Sequence, residues 1–389
     1  MKSLAIQIRG VSYKPVDLHD TLDASSVILL RANNIDDGKI NFDEVVFVDK
    51  KKVSQEQLLQ KGDVLICASS GSKYLVGKAA TVDFDREVTF GAFCKVVRPR
   101  NQEDADYISM YFQSPIYRRE ISSVAIGANI NNIRNEHIDA LSVRWPSAEK
   151  RQDSSSILRK VDLIIRRRKL ELQVFDKLIK ARFVEMFGDP KVNEKHWDEG
   201  VIADYFHVKG GKRIPKGMDY SDSITDHPYL RATDMKNETI LDGDIHYIGE
   251  EVFQHIKRYT VQGGDIYLTN VGVNLGMAGV IPEKYSGANL TENAVKLVPK
   301  TDKFRGIFVA NYINSPGIQY YINERKMAVG VPKLAIFRIE TMPLIIPPIE
   351  KQDEFVSFRA QVDKSKAVVQ KALDKAQLLF DSLMQKYFG

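Results

Sequence analysis

Residues 146–190, PSAEKRQDSSSILRKVDLIIRRRKLELQVFDKLIKARFVEMFGDP, decide the fold of this chain. Apolar side chains recur here in short helical steps, at Ile157, Val161, Ile164, Leu172, Phe175, Ile179, Phe183 and Met186. That spacing places one apolar stripe on an otherwise charged helix, which begins after Pro146 and ends before Pro190. A helix of about 40 residues is about 60 Å long. Its single stripe requires a partner to cover it.

The composition is that of a globular protein with two or three domains. The chain has 389 residues, of which 43% are hydrophobic and 28% charged, and no apolar run is long enough for a membrane span. The N-terminus lacks the apolar segment of a secretory signal, and the two cysteines, Cys67 and Cys94, are expected to be buried thiols in a reducing, cytoplasmic compartment. The net charge of +5 permits a nucleic-acid partner without requiring one.

An internal repeat with an offset of about 200 residues organises the whole chain. The matching positions are Gly10 and Gly210, Leu30-Arg31-Ala32 and Leu230-Arg231-Ala232, Gly62-Asp63 and Gly264-Asp265, and residues 145–153 and 346–354. Each copy is therefore one globular unit followed by one long helix. The predicted boundaries are 1–145 for the first globular domain, 146–188 for its helix, 189–345 for the second domain and 346–389 for the C-terminal helix.

The C-terminal helix supplies the partner for the first stripe. Its apolar positions are Phe355, Phe358, Val362, Val369, Ala372, Ala376, Leu379, Leu383 and Tyr387. We predict an α/β (α+β) fold in which two repeated domains are joined by two long antiparallel helices, as a coiled coil with pseudo-two-fold symmetry. Short strands are predicted in both domains, including 137–145 and 338–346, and helices over 104–122 and 304–325. The tyrosines and phenylalanine of these helices are predicted to be core residues: Tyr107, Tyr111, Phe112, Tyr117, Tyr312, Tyr320 and Tyr321.

No catalytic constellation is recognisable in the sequence. Residues 71–79 have the wrong glycine spacing for a phosphate loop, and 272–279 do not form a dinucleotide fingerprint. The seven histidines show no metal-ligand spacing, and there is no Asn-Pro-Pro or Asp-Pro-Pro followed by an aromatic residue, as an amino-methyltransferase would have. We therefore predict no catalytic residues, no metal and no cofactor. Two alternatives stay open: a self-contained DNA nuclease or methyltransferase with an unrecognised site, and a scaffold without a nucleic-acid role.

Polar and basic loop clusters lie at matching places in the two copies, which favours DNA binding. Such side chains suit base edges and phosphate oxygens. The candidate DNA-binding residues of the first copy are Arg31, Ser70, Ser72, Lys73, Asn129, Asn131, Asn132 and Arg134. Those of the second copy are Lys209, Lys212, Arg213, Lys216, Arg231, Thr269, Asn270, Asn274, Lys326 and Lys333. Two related readers held apart by long helices would read two half-sites, which differ because the loop residues differ.

The chain resembles the specificity subunit of type I restriction-modification systems. The resemblance rests on LELQVFDKLIKARFVEMFGDP (170–190), YLRATDM (229–235), GDIYLTNVGVNLGMAGVI (264–281) and IPPIEKQDEFV (346–356). It implies two target-recognition domains that bind double-stranded DNA and have no catalysis of their own. It also implies two modification (methyltransferase) subunits and ATP-dependent restriction (endonuclease) subunits as partners, with the long helices as spacer and docking site.

Overall fold

The computed structural model describes residues 1–72, 74–124, 131–327 and 330–389, and of Asn131 the backbone only. The chain divides into two compact units. Unit 1 contains Met1–Lys169 and Gln370–Gly389, and unit 2 contains Leu170–Val369. The first long helix, Ala148–Phe187, and the second long helix, Ile349–Phe388, each contribute residues to both units. The predicted limits, 146–188 and 346–389, differ from the observed helix ends by one to three residues.

Unit 1 combines short strands with short helices. Its strands are Ala5–Arg9, Leu18–His19, Ser26–Leu30, Ile35–Asp36, Lys39–Ile40, Val46–Asp49, Val64–Cys67, Ser69–Ser70, Ala79–Thr81, Val88–Phe90, Cys94–Pro99 and Asn131–Asn132. Its α-helices besides the long ones are Ala105–Gln113, Pro115–Val124 and Asn135–Asp139, and its 3-10 helices are Pro15–Asp17, Ala32–Asn34, Lys50–Lys52, Gln55–Gln57 and Gln102–Asp104.

Unit 2 has a matching set of elements. Its strands are Asp198–Val201, Phe206–Gly210, Pro228–Leu230, Met235–Lys236, Thr239–Ile240, His246–Tyr247, Ile266–Thr269, Ala278–Val280, Asn289–Leu290, Ala294–Pro299 and Pro343–Ile346. Its α-helices besides the long ones are Ile202–Tyr205, Glu250–Ile256, Gly306–Ile313, Pro316–Arg325 and Ile336–Glu340, and its 3-10 helices are Lys257–Tyr259 and Glu283–Tyr285.

The strand order of the main sheet is the same in the two units, which confirms the repeat. The main sheet is antiparallel and four-stranded in each unit. Its order is Ala5–Arg9, Cys94–Pro99, Val64–Cys67, Ala79–Thr81 in unit 1 and Phe206–Gly210, Ala294–Pro299, Ile266–Thr269, Ala278–Val280 in unit 2. The second sheet of each unit contains one parallel pair, formed by Ser26–Leu30 with Val88–Phe90 and by Pro228–Leu230 with Asn289–Leu290.

A close backbone approach corrects one detail of the predicted repeat. A Cβ on Gly10 would meet the Gly91 carbonyl oxygen at 2.1 Å, and a Cβ on Gly211 would meet the Thr291 carbonyl oxygen at 2.0 Å. The structural counterpart of Gly10 is therefore Gly211, and the predicted match with Gly210 is wrong by one residue. Only glycine lets the two backbones pass at this distance.

Within each unit the two long helices run antiparallel. In unit 2, Asp176 Oδ1 lies 2.6 Å from Lys366 Nζ, and Arg182 Nη2 lies 2.7 Å from Glu354 Oε1. The residue number therefore falls along one helix as it rises along the other. In unit 1, Leu158 shares a buried core with Met384 and Phe388, and Ile165 lines one depression with Gln377 and Phe380. The direction is therefore the same.

The predicted apolar stripes are correct for most positions and wrong at three. Ile157 and Ile164 are 41% and 48% exposed, whereas their neighbours Leu158 and Ile165 are buried. In the second long helix Leu379 is half exposed, and the next residue, Phe380, packs on the core instead. Both residues of each adjacent pair are apolar, so spacing alone did not fix which one faces inward.

Other sequence predictions are confirmed in part. Cys67 and Cys94 are buried free thiols, and the predicted core aromatic residues are buried except for Tyr321, which is partly exposed, and Tyr320, which is 53% exposed. The strand predicted over 137–145 is wrong, because the chain there ends the helix Asn135–Asp139 and then continues without regular structure. Within the described ranges, no helix is both long and apolar enough to cross a bilayer.

Candidate nucleic-acid interface

Three loops of unit 1 are tied together at one end of the main sheet. Ser69–Ser70 pairs with Asn131–Asn132 as a short antiparallel ladder. The amides of Ala68 and Ser69 both donate to the Phe93 carbonyl oxygen, at 2.9 and 3.0 Å. These backbone bonds hold the loop after Val64–Cys67, the turn before Cys94–Pro99 and the segment before Asn135–Asp139 in one place.

The loops enclose two adjoining depressions in unit 1 that contain several of the predicted residues. Arg31 and Ser70 line the first depression, and Asn132 and Arg134 line the second. Both depressions are also lined by Ser69, Ala92 and Phe93. The structure therefore brings together residues that lie as far apart in the sequence as Arg31 and Arg134.

Arg9 and Lys95 also line the second depression, although they are not among the candidate residues predicted from the sequence. They lie opposite each other on neighbouring strands. Burial lowers the pKa of Lys95, Asp139 partly offsets this effect, and the nearby Arg9 lowers the pKa further. The proximity of two cations marks this part of the unit 1 surface as suited to an anion. The alternation of side chains along Ala5–Arg9 and Cys94–Pro99 is the sequence signal that could have identified them.

The loops of unit 2 are tied together in the same way. The amides of Asn270 and Val271 donate to the Asn293 carbonyl oxygen, at 3.0 and 3.3 Å. The Leu334 amide donates to the Asn270 carbonyl oxygen at 2.8 Å, and Val271 forms a β-bridge with Lys333. The loop segments that contain Asn270 and Lys333 are therefore adjacent. This agrees with the expectation that candidate residues of one binding surface lie close together.

Thr269 and Asn270 do not reach this surface. Thr269 is fully buried, and its hydroxyl donates to the carbonyl oxygens of Asn274 and Met277. Asn270 is 5% exposed, and its amide nitrogen donates to the Leu334 carbonyl oxygen at 3.3 Å. In this conformation both side chains shape the loop instead of facing solvent. A DNA-contacting role for them is not what the geometry favours.

The remaining predicted residues of these two loops are accessible. Asn274 and Lys326 are half-buried, and Lys333 is exposed. Lys326 Nζ donates to Asn323 Oδ1 at 2.7 Å. In unit 1, Ser70 and Ser72 are half-buried, and the Ser72 amide donates to Ser70 Oγ at 3.1 Å.

In each unit one helix donates a side-chain hydrogen bond to the neighbouring loop. These helices are Pro115–Val124 and Pro316–Arg325. In unit 1, Arg118 Nη1 donates to the Val76 carbonyl oxygen at 2.8 Å. In unit 2, Gln319 Nε2 donates to the Gly276 carbonyl oxygen at the same distance. The loop ends are therefore anchored on a rigid element, which favours a preformed binding surface.

The basic loop of unit 2 lies beside these clusters and is exposed. Its predicted contacts Lys209, Lys212, Arg213 and Lys216 all have exposed side chains. Arg213 Nε donates to Glu292 Oε1 at 2.6 Å, and this hydrogen bond raises the pKa of Arg213. The Lys212 amide donates to the Leu290 carbonyl oxygen at 2.8 Å, which holds the loop against the sheet.

Arg31 and Arg231 occupy equivalent positions and make one bond in common. Arg31 Nη2 donates to the Glu44 carbonyl oxygen at 2.7 Å, and Arg231 Nη2 donates to the Asp244 carbonyl oxygen at 2.6 Å. Both arginines therefore brace the same turn of their unit. A bracing role accounts for their place in the repeat without any contact to DNA.

The two arginines differ in how their charge is compensated. Arg231 Nη2 donates hydrogen bonds to Asp234 Oδ1, at 2.7 Å, and to Asp244 Oδ2, at 2.8 Å, and these raise the pKa of Arg231 against the opposing effect of burial. In unit 1 the counterpart of Asp234 is Asn34, and Arg31 has no ion pair with any residue that the structure describes. Arg31 Nε is also buried without a hydrogen-bond partner among the described residues. Unlike Arg231, Arg31 therefore has a guanidinium charge that no described carboxylate neutralises, so it can pair with an anionic ligand.

Two predicted sites cannot be placed and one only in part. Lys73 and Asn129 lie outside the described residues, and for Asn131 the backbone pairing with Ser70 is described. Among the residues that the structure does describe, no group of three or more His, Cys, Asp or Glu side chains is arranged to hold a metal ion.

Comparisons with known proteins agree with this geometry. A family model described as the type I restriction modification DNA specificity domain matches residues 29–174 and 194–377. The EcoKI specificity subunit of Escherichia coli K12 is 27% identical over 98% of this chain and 86% of its own length. The StySPI specificity subunit of Salmonella potsdam is 26% identical with the same coverage.

Solved structures show the same fold. The S subunit of a type I restriction-modification system from M. genitalium matches 100% of this chain and 94% of its own, with a TM-score of 0.57 and 14% identity. A second match comes from a structural study of complex assembly in the type I restriction-modification system. It covers 99% of this chain and 97% of the matched chain, with a TM-score of 0.53 and 14% identity. The chain therefore belongs to the type I restriction-modification DNA specificity family, whose members are non-catalytic subunits that recognise DNA sequence for separate enzyme subunits.

Proposed function

We propose that the loop surfaces of units 1 and 2 each read one half of an asymmetric, bipartite DNA target. The observation that carries this proposal is the same convergence of loops in both units, with different side chains at matched positions. Around Ser69 and Phe93 the surface includes Arg9, Lys95 and Arg134, whereas unit 2 presents the basic loop that contains Lys212. Equivalent scaffolds with different side chains predict two unlike half-sites.

A selection experiment tests this proposal. The chain, assembled with methyltransferase subunits, is incubated with a pool of random duplexes, and the bound DNA is sequenced. We expect two short conserved blocks separated by a spacer of fixed length and free sequence. A single continuous consensus, or none, would contradict the proposal.

The alternative of a self-contained nuclease or methyltransferase is tested with the purified chain alone. It is incubated with DNA and magnesium, or with labelled S-adenosylmethionine, and we expect no turnover in either assay. The methyltransferase activity should appear only after modification subunits are added.

We further propose that the long helices set the spacer. Each has 40 residues, about 60 Å. Inserting seven residues into each helix, after Lys169 and after Lys371, preserves the apolar repeat and adds about 10 Å. The selected spacer should then lengthen by about three base pairs, since each base pair rises about 3.4 Å, while both half-sites stay unchanged. If the half-sites change and the spacer does not, the helices are not the spacer.

The second proposed role of the helices is to dock the modification subunits, two per chain as the repeat suggests. Leu170, Val174 and Leu178 of unit 2 are 59%, 60% and 43% exposed and lie in helical steps of four on one face. Exposed apolar rows of this kind are typical of protein interfaces. Replacing Leu170 and Val174 by Ser should abolish co-purification of the modification subunit without changing helix content. The control is Val192→Ser, at an exposed apolar position outside the helices.

A further inference from the structure

Phe93 and Asn293 occupy the same backbone position in the two units. The Phe93 carbonyl oxygen accepts hydrogen bonds from the amides of Ala68 and Ser69, and the Asn293 carbonyl oxygen accepts them from Asn270 and Val271. Each residue also comes directly before the strand that leads into the centre of the main sheet, Cys94–Pro99 or Ala294–Pro299. The backbone is therefore the same, and only the side chains differ.

The turn that carries Phe93 is held rigidly. The Cys94 amide donates to the Gly91 carbonyl oxygen at 2.8 Å, which closes a four-residue turn. The Ala92 amide donates to the Val11 carbonyl oxygen at 3.0 Å. Since the backbone on both sides of Phe93 is fixed, its side chain is presented at a defined point of the surface.

The Phe93 side chain is 70% exposed, so it contributes little to the core of unit 1. It lines both depressions, between Arg31 and Ser70 on one side and Asn132 and Arg134 on the other. Arg9 and Lys95 border the second depression as well. An exposed aromatic ring among cations fits a polyanion that also has an apolar group, and DNA combines phosphates with the C5 methyl group of thymine.

The Asn293 side chain is half-buried, and it makes no hydrogen bond to the residues that the structure describes. Its neighbour Glu292 pairs with Arg213 of the basic loop. A free carboxamide beside a basic loop can donate to and accept from the same base edge, which is the pattern by which asparagine reads adenine.

We propose that Phe93 and Asn293 are matched specificity-determining residues of the two half-sites. Phe93 contacts the methyl group of a thymine in the half-site of unit 1, and Asn293 contacts an adenine in the half-site of unit 2. This inference rests on the proposed function, because it requires that each unit reads one half-site.

The test combines two changes and measures DNA binding. Thymine is replaced by deoxyuridine, which lacks the C5 methyl group, and Phe93 is replaced by Ala, which lacks the aromatic ring. With the assembled complex and its selected target, each thymine of one half-site is replaced in turn by deoxyuridine. We expect one replacement to weaken binding of the wild-type complex about fivefold, a modest fraction of the discrimination that a good base contact gives. Phe93→Ala should bind the thymine and the deoxyuridine targets equally, whereas Phe93→Leu should keep part of the preference.

Asn293→Ala is the matched variant in unit 2. It should lose the preference for adenine at one position of the other half-site and keep the thymine preference of the first. Val192→Ala, at an exposed apolar position in the segment between the first long helix and Asp198–Val201, should change neither. Thermal unfolding of each variant shows whether it is folded.

Several outcomes distinguish this inference from the proposed function. If the wild-type complex selects no split target, the proposed function itself fails. If it selects one but no deoxyuridine replacement weakens binding, or if Phe93→Ala keeps the full penalty, the assignment of Phe93 is overturned. If Asn293→Ala alters the same half-site as Phe93→Ala, the matched-position assignment is overturned.

Discussion

The loop surfaces of units 1 and 2 share a backbone framework and differ in how their charges are compensated. In unit 1, the Arg31 backbone amide donates to the neutral Asn34 side chain, and Arg31 lines the same depression as the exposed Phe93. In unit 2, Arg231 is paired with Asp234 and Asp244. The arginines at this position therefore stabilise the same turn in both units. Only the arginine of unit 1 lacks a carboxylate partner among the described residues. Position in a repeat thus predicts a shared structural role, whereas the neighbouring side chains decide whether the residue can also bind a ligand.

The largest effect is expected where the shared framework itself is broken. Gly10→Ala should destabilise unit 1 by about 3 kcal/mol, because the new Cβ meets a backbone oxygen that cannot move aside cheaply. The unit 1 half-site should lose its conservation in selected DNA while the other half-site remains. Denaturant unfolding measures the stability. Gly71→Ala, whose Cβ would meet no atom of the described residues within 4 Å, is the control.

The next largest effect on stability is expected when Arg231 and Arg31 are replaced and the two costs are compared. Arg231→Met should cost about 2 kcal/mol, less than the loss of a fully buried pair, because the Arg231 side chain is 21% exposed. Asp234, at 5% exposure, would be left without its partner. Arg31→Met loses one hydrogen bond and should cost about 1 kcal/mol, but it should weaken DNA binding more than its stability loss explains. Equal costs for the two variants in denaturant unfolding would contradict the comparison.

Adding Asp234→Asn to Arg231→Met tests the cause. Since the uncompensated carboxylate is then removed, we expect part of the lost stability to return. No recovery in the double variant would mean that Arg231 acts mainly through the Asp244 carbonyl oxygen.

The cationic side chains of the two loop surfaces should contribute similarly to DNA affinity, and each should contribute less than the changes described above. Replacing Arg9 in unit 1 or Lys212 in unit 2 by Gln should reduce the slope of log affinity against log salt by about 1 if each contacts one phosphate. The base preferences of both half-sites should remain. Binding titrations between low and physiological salt measure this slope. A changed consensus would show that the residue reads a base instead.

The smallest effect concerns an ion pair between a hairpin and the first long helix in unit 1. Lys169 Nζ lies 2.7 Å from Asp37 Oδ2, and this hydrogen bond lowers the pKa of Asp37 from its ordinary value of 3.8, against a smaller opposing effect of burial. A lowered carboxyl pKa stabilises the folded state above the unfolded pKa, and this contribution disappears as the pH falls through the folded pKa. Because the Asp37 side chain is 72% exposed, we expect Asp37→Asn to cost less than about 0.5 kcal/mol at pH 7.

That cost should disappear as the pH falls below 3.8 and through the lowered pKa of Asp37, which denaturant unfolding at several pH values would detect. In unit 2 an ion pair also joins the matching hairpin to a long helix, at a different position: Glu238 pairs with Arg359, and their side chains are 26% and 10% exposed. Glu238→Gln should therefore cost more than Asp37→Asn at neutral pH. The reverse order would show that burial does not set the strength of these pairs.

Much of the fold could be predicted because its patterns are local and periodic. The long helices follow from apolar steps of three and four, and the ends of the first agree to within two residues because Pro146 and Gly188 mark them. The short helix Asn135–Asp139 was mistaken for part of a strand over 137–145, since a short stretch of mixed apolar and polar residues fits both a strand and a helix. The choice of Leu158 over Ile157 for the core depended on packing, because both side chains are apolar.

The sequence by itself determined that this protein consists of two copies of one unit with a long helix each, and it pointed to the loops that converge. Only the tertiary structure decided which loop residues are accessible. Thr269 ends a strand and Asn270 follows it, and both are polar, yet their side chains are buried and donate hydrogen bonds to the carbonyl oxygens of Met277 and Leu334. Phe93 is apolar, yet its fixed turn leaves it exposed. Periodicity reports which face of a regular element is buried, whereas a loop side chain is oriented by backbone bonds between segments far apart in the chain, and no local pattern records them.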